Sequence, residues 1–64
     1  MSRFVKLHRL NGSDFWVNVS KIQVFYEHIL PNGEIVTAIR YSVAMDDFDL
    51  VTDSIRRVER LLGL

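Results

Sequence analysis

Apolar and polar positions alternate through two long stretches of the chain, and each stretch is broken in the middle by an Asn-Gly pair. Asn11-Gly12 separates RFVKLHRL from SDFWVNV, and Asn32-Gly33 separates IQVFYEHIL from EIVTAIRYSVAM. Asn and Gly tolerate the positive φ that a two-residue hairpin turn needs, and both flanks are rich in β-branched and aromatic residues. The pattern predicts four strands, at about 3–10, 14–19, 22–30 and 34–44. A two-residue loop at Asn32-Gly33 puts Leu30 opposite Ile35, Tyr26 opposite Ile39, Val24 opposite Tyr41 and Ile22 opposite Val43, all on one face. Phe25, Glu27 and Ile29 then share the other face with Val36, Ala38 and Arg40. The same loop at Asn11-Gly12 puts Phe4, Leu10, Phe15, Val17 and Val19 on one side, with Lys6 and His8. Val5, Leu7 and Trp16 fall on the other side, His8 faces Phe15, His28 faces Thr37 and Arg9 lies opposite Asp14. The fourth strand is long enough to require a bend or bulge.

Periodicity changes after Met45. At helical spacing Phe48, Leu50, Val51, Ile55, Val58, Leu61 and Leu62 fall within one arc of roughly 160°. This predicts a helix over about 47–62, with Asp46 or Asp47 as cap, arginines toward its end and Gly63 as the stop. A competing reading makes 47–51 a fifth strand and starts a shorter helix near Asp53. The helical stripe accounts for more apolar positions, so the long helix is preferred. The fold class expected is α+β: a four-stranded antiparallel sheet, five-stranded on the competing reading, with one C-terminal helix packed on one face. The expected core is Ile22, Val24, Tyr26, Ile35, Ile39 and Tyr41 under that helix.

Sixty-four residues make one domain at most. With no cysteine, neither a disulfide nor a thiolate-held metal is available. Formal net charge is zero, which argues against a generic basic nucleic-acid binder. Charge is nonetheless uneven. The first 26 residues carry four basic groups against one acid, residues 27–53 six acids against one base, and residues 54–64 three bases against one acid. The start of the chain lacks the apolar run of a signal peptide, and no stretch approaches the ~20 apolar residues of a membrane span. A cytoplasmic, non-membrane protein is expected.

Part of the first hairpin has a familiar form. Lys6, Leu7, Arg9, Leu10, Asn11 and Gly12, then Phe15, Trp16, Val17, Asn18 and Ile22, resemble the opening of FlbD-type flagellar proteins, the family that includes the SwrD swarming-motility protein. The chain departs from that pattern at Val19-Ser20, where the family has Pro-Asp. It departs again at SVAMDDFD, where the family has a further glycine-containing hairpin and a fifth strand. The resemblance implies a small sheet-plus-helix fold and, as one functional expectation, a motility accessory role.

Catalytic signatures are thin. His8 and His28 lack a metal-ligand spacing. Ser13, Ser20, Ser42 and Ser54 lack a nucleophile-elbow context. Asp46, Asp47 and Asp49 lack the glycine and distal glutamate of a calcium loop. No glycine-rich phosphate loop is present. No catalytic residue, metal or cofactor is expected, and the chain reads as a binding protein rather than an enzyme. Two surfaces are candidates. Trp16 and Phe25 are residue types favoured at binding hot spots, facing a partner or a second copy in a homodimer. Asp46, Asp47, Asp49 and Asp53, with Glu27 and Glu34, form an acidic set suited to a basic surface, with Asp49 and Asp53 as i,i+4 neighbours on the exposed helix face. The preferred expectation is a regulator of the kind phages and mobile elements carry. Such an anti-CRISPR-like inhibitor docks on a larger bacterial protein or protein–nucleic-acid complex and imitates DNA with its acidic surface. The alternatives are the FlbD-like motility role and weak nucleic-acid binding through Arg3, Lys6, Arg9 and Lys21.

Overall fold

A computed structural model describes residues 3–64. Strands β1 (Phe4–His8) and β2 (Asp14–Asn18) form one antiparallel hairpin. A single 3-10 turn, Val19–Lys21, leads into β3 (Val24–Ile29), β4 (Ile35–Arg40) and β5 (Phe48–Val51), which form a three-stranded antiparallel sheet in that order. Helix α1 (Ile55–Leu61) closes the chain. The architecture is α+β, but the strands form two sheets rather than one of four or five. An isolated bridge between Arg9 and Val51, with the Thr52 N–H donating to the His8 carbonyl at 3.0 Å, links them.

Both hairpins turn at the expected Asn-Gly pairs, but by a different turn. Among the described residues no non-glycine has positive φ. That excludes the type I′ turn, which needs positive φ at both central positions. Instead the Gly12 N–H donates to the Arg9 carbonyl at 2.9 Å and the Arg9 N–H to the Ser13 carbonyl at 2.8 Å. Leu30 and Glu34 repeat the arrangement around Pro31, Asn32 and Gly33. Each is a three-residue loop, a type I turn completed by a left-handed glycine, with φ of 89° at both Gly12 and Gly33. Pro31 supplies the physical reason in the second loop. A two-residue loop would make Pro31 the closing strand residue, which must donate a backbone N–H, and proline has none. At the second position of a type I turn, the proline ring's fixed φ is an advantage. The Asn11 side-chain oxygen accepts from the Ser13 N–H and hydroxyl, and that of Asn32 accepts from the Glu34 N–H, holding both loops.

One extra loop residue slips each register by one, and such a slip moves side chains to the opposite face. Val5 pairs with Val17 and Leu7 with Phe15, so these four share the inner face, and His8 faces Asp14 rather than Phe15. In the second hairpin Phe25 pairs with Ile39, Glu27 with Thr37 and Ile29 with Ile35. Tyr26 pairs with Ala38, Val24 with Arg40 and His28 with Val36 on the other face. The expected core is corrected accordingly: Ile39 is fully buried, Ile22 and Tyr41 pack at its margin, but Val24, Tyr26 and Ile35 are exposed. The observed core is Val5, Leu7, Val17, Ile39, Val51 and Val58, with Phe15, Val19, Phe25, Leu61 and Leu62 packed against it.

The long helix gives way to the competing reading. Residues 48–51 pair with β4, Thr37 opposite Val51 through Arg40 opposite Phe48. A helix there would leave the outer backbone groups of β4 without partners. Phe48 is therefore exposed rather than core. Ser54, not Asp46 or Asp47, caps the helix, its hydroxyl accepting from the Arg57 N–H at 3.2 Å. Gly63 is the stop, at φ 81°, with the Leu64 N–H reaching the Glu59 carbonyl and the Gly63 N–H reaching that of Arg60. The bend expected in the fourth strand is a break: β4 stops at Arg40, and residues 41–47 loop back to β5.

Candidate partner surface

The acidic residues grouped by the sequence are scattered by the fold. Asp53 was expected on an exposed helix face and is instead buried, its carboxylate 2% exposed. It lies just before the helix and ties three elements together. One oxygen accepts from the His8 N–H at 2.7 Å. The other meets His8 Nδ1 at 3.0 Å and Arg57 Nε at 2.8 Å. Its backbone carbonyl accepts from the buried Thr37 hydroxyl at 2.7 Å. Burial pushes the Asp53 pKa up, but the hydrogen bonds from the His8 ring, the His8 backbone and Arg57 outweigh it, and the carboxyl is held below the usual carboxylate value. No buried side-chain polar atom is left without a partner among the described residues.

Asp49 is also engaged. It accepts from the Tyr41 hydroxyl at 2.9 Å and lies 3.5 Å from Arg9. Burial and the Asp49 hydrogen bond raise the Tyr41 pKa. Glu34 sits at the β3–β4 turn and Glu27 opposite Thr37. Asp46 and Asp47 lie beyond the far end of β4, roughly 20 Å of strand away from Glu34. Only Asp46 and Asp47 remain together as an exposed pair.

The two aromatic candidates are not brought together. Trp16 is 64% exposed on the outer face of the first hairpin, opposite Lys6. Phe25 packs on the core, covered by its own chain. Of the four basic N-terminal residues, all but the exposed Lys21 have internal partners. Arg3 donates to the Leu61 carbonyl, Lys6 lies 3.8 Å from Asp14, and Arg9 stacks 4.2 Å over Phe15.

The His8 ring bridges Asp53 on one nitrogen and Asp14 on the other, the latter at 3.5 Å. An imidazole oriented by a buried carboxylate is the geometry a general base needs, yet here its outer nitrogen faces a second carboxylate rather than a hydroxyl. Among the described residues no cluster of three or more His, Asp or Glu is arranged to hold a metal ion. Sequence reading missed Asp53 altogether as a structural tie. The signal for it was weak: an acid directly before a Ser54 cap, with a basic residue four positions on.

A different surface emerges from the pairing. Val24, Arg40 and Phe48 form a row across all three strands, with Tyr26 and Ala38 in the next row of the same face. Val24, Tyr26 and Phe48 are exposed, and Arg40 lies 5.6 Å over the Phe48 ring. The row runs into the 41–47 loop, where Val43 and Met45 are each 87% exposed beside Asp46 and Asp47. Arg40 fixes this loop by donating to the Ala44 carbonyl at 2.7 Å. No helix among the described residues is long and apolar enough to cross a membrane. No protein-family model matches the chain, and no curated protein or solved structure is detectably similar to it.

Proposed function

We propose that the protein is a small non-catalytic regulator that docks on a larger protein through the 41–47 loop and the adjoining sheet face. The observation that carries this is Val43 and Met45, both 87% exposed and flanked by Asp46-Asp47, running into exposed Phe48. Apolar side chains contiguous with aromatics and edged by charge mark interaction sites rather than ordinary surface. The fitting counterpart is an apolar seat rimmed by Lys and Arg. Surfaces that handle nucleic acid carry such rims, so the preferred target is a bacterial nucleic-acid machine. The protein then acts as an inhibitor of the anti-CRISPR kind. With Asp53 buried and Asp49 engaged, apolar contact leads and imitation of phosphates by Asp46 and Asp47 assists.

Inhibition assays against purified CRISPR effector complexes test the reading. Val43→Glu with Met45→Glu abolishes inhibition, while Asp46→Asn with Asp47→Asn weakens it about ten-fold and flattens its salt dependence. Full inhibition by both pairs of variants overturns the docking surface. The FlbD-like motility role is the alternative, supported by the first hairpin, where Leu7 and Val17 of the motif form core and Asn18 caps the following turn. Loss of swarming in a deletion strain selects it over inhibition.

A further inference from the structure

The opposite end of the molecule has a second uncovered region, on the other face of the sheet. Near the turn of the β3–β4 hairpin, the cross-strand pair Ile29 and Ile35 is 67% and 62% exposed. Beside it, between β3–β4 and the start of α1, lies a groove of about 310 Å³ lined by Glu27, Ile35, Thr37, Ile55 and Arg56, among others. Thr37 is buried at its floor, tied to Asp53. Among the described residues neither Glu27 nor Arg56 makes an ion pair, so both charges are available to a partner.

We infer that this groove binds a second copy of the chain in a two-fold dimer. A two-fold contact is self-complementary: whatever residue i meets at residue j of the partner, residue j meets at residue i. A patch of one sign repels its own image. This one carries a single carboxylate and a single guanidinium around an isoleucine centre. A two-fold therefore sets Glu27 of each copy against Arg56 of the other, twice, with Ile29, Ile35 and Ile55 meeting between them. The whole chain is formally neutral, so no long-range repulsion opposes the approach. A standard interface takes about 800 Å² from each partner. The chain's whole surface is 4560 Å². The contact must therefore span the groove from Ile29 to Arg56 and cannot rest on one isoleucine pair. The inference uses the face away from Val24, Tyr26 and Phe48 and stands independently of the docking reading.

Sedimentation of the full chain tests it, across about 10 µM to about 1 mM, where a modest interface titrates. The mass doubles with concentration. Glu27→Arg alone or Arg56→Glu alone sets like charges together at both contacts and weakens association at least ten-fold. Mixing these two variants restores it, because each contact again joins a cation to an anion. Both residues are exposed, and thermal melts by circular dichroism check that both variants fold. In the unaltered chain, concentration-dependent amide shifts gather at Glu27, Ile29, Ile35, Ile55 and Arg56. A constant monomer mass overturns the inference, as does association indifferent to the single reversals or not rescued by mixing. Shifts gathered instead at Val43 to Phe48 overturn it in favour of self-association through the other face.

Discussion

The two hairpins are built alike and used differently. Each turns through a three-residue loop ending in a left-handed glycine, and each presents an apolar row to the centre of the molecule. In the first hairpin that row, Val5, Leu7 and Val17, is buried along its length. In the second it is divided. Ile39 is fully buried opposite Phe25, while Ile35 and Ile29 on the same face are bare. Hydrophobicity does not distinguish Ile39 from Ile35; the cover does. Val5, Leu7 and Val17 of the first hairpin, with Val51 and Val58, pack on Ile39 and leave Ile35 and Ile29 open. In so short a chain, which apolar residues become core depends on how far the covering elements extend.

The sharpest test of that contrast is truncation on both sides of the boundary. Leu7→Ala and Ile39→Ala each cost about 2–5 kcal/mol in denaturant unfolding, by lost burial and the cavity left behind. Ile35→Ala and Trp16→Ala stay within about 0.5 kcal/mol, as exposed positions do. A large loss at Ile35 in dilute monomer breaks the comparison.

Next in size is the tie between the first hairpin and the helix. Asp53→Asn costs about 1–3 kcal/mol at neutral pH, because it weakens bonds to both His8 and Arg57 in a buried site. The unaltered protein carries a pH signature from the same group. The folded Asp53 pKa is depressed, so the unfolded chain takes up this proton more readily. Its contribution is complete above the unfolded value and is lost as the pH falls below about 4. In Asp53→Asn that part of the acid limb disappears, which unfolding melts from pH 2 to 7 detect.

A smaller effect sharpens the likeness of the two loops. A methyl group at Gly12 or Gly33 meets nothing within 4 Å, so Gly12→Ala and Gly33→Ala report backbone strain alone. Each costs about 1–2 kcal/mol, the left-handed penalty of an L-residue, and the two values agree. A two-residue turn would also have demanded positive φ at the asparagines. Asn11→Ala therefore loses only the bonds to Ser13, about 1 kcal/mol.

Much of the fold was legible in the chain. The turn positions, the four strand locations, the α+β class and the helix stop at Gly63 follow from local chemistry: glycine at positive φ, asparagine bonding its own loop, β-branched and aromatic alternation. Pro31 held the register of the second hairpin as well, since its missing N–H excludes the two-residue loop; the first hairpin carries no such residue, and its one-residue slip is not marked in the chain. The candidate site was less legible. Asp53 reads as one more exposed acid until a histidine 45 residues away closes on it.

The sequence by itself determined where the chain turns and which segments prefer extended backbone, because those preferences are settled within a few neighbouring residues. The tertiary structure alone decided that 48–51 is a strand, since periodicity there fits helix and strand alike and only the open edge of β4 breaks the tie. It also decided which acids remain free. A carboxylate's role depends on what approaches it, and the groups that approach Asp49 and Asp53 come mostly from distant parts of the chain.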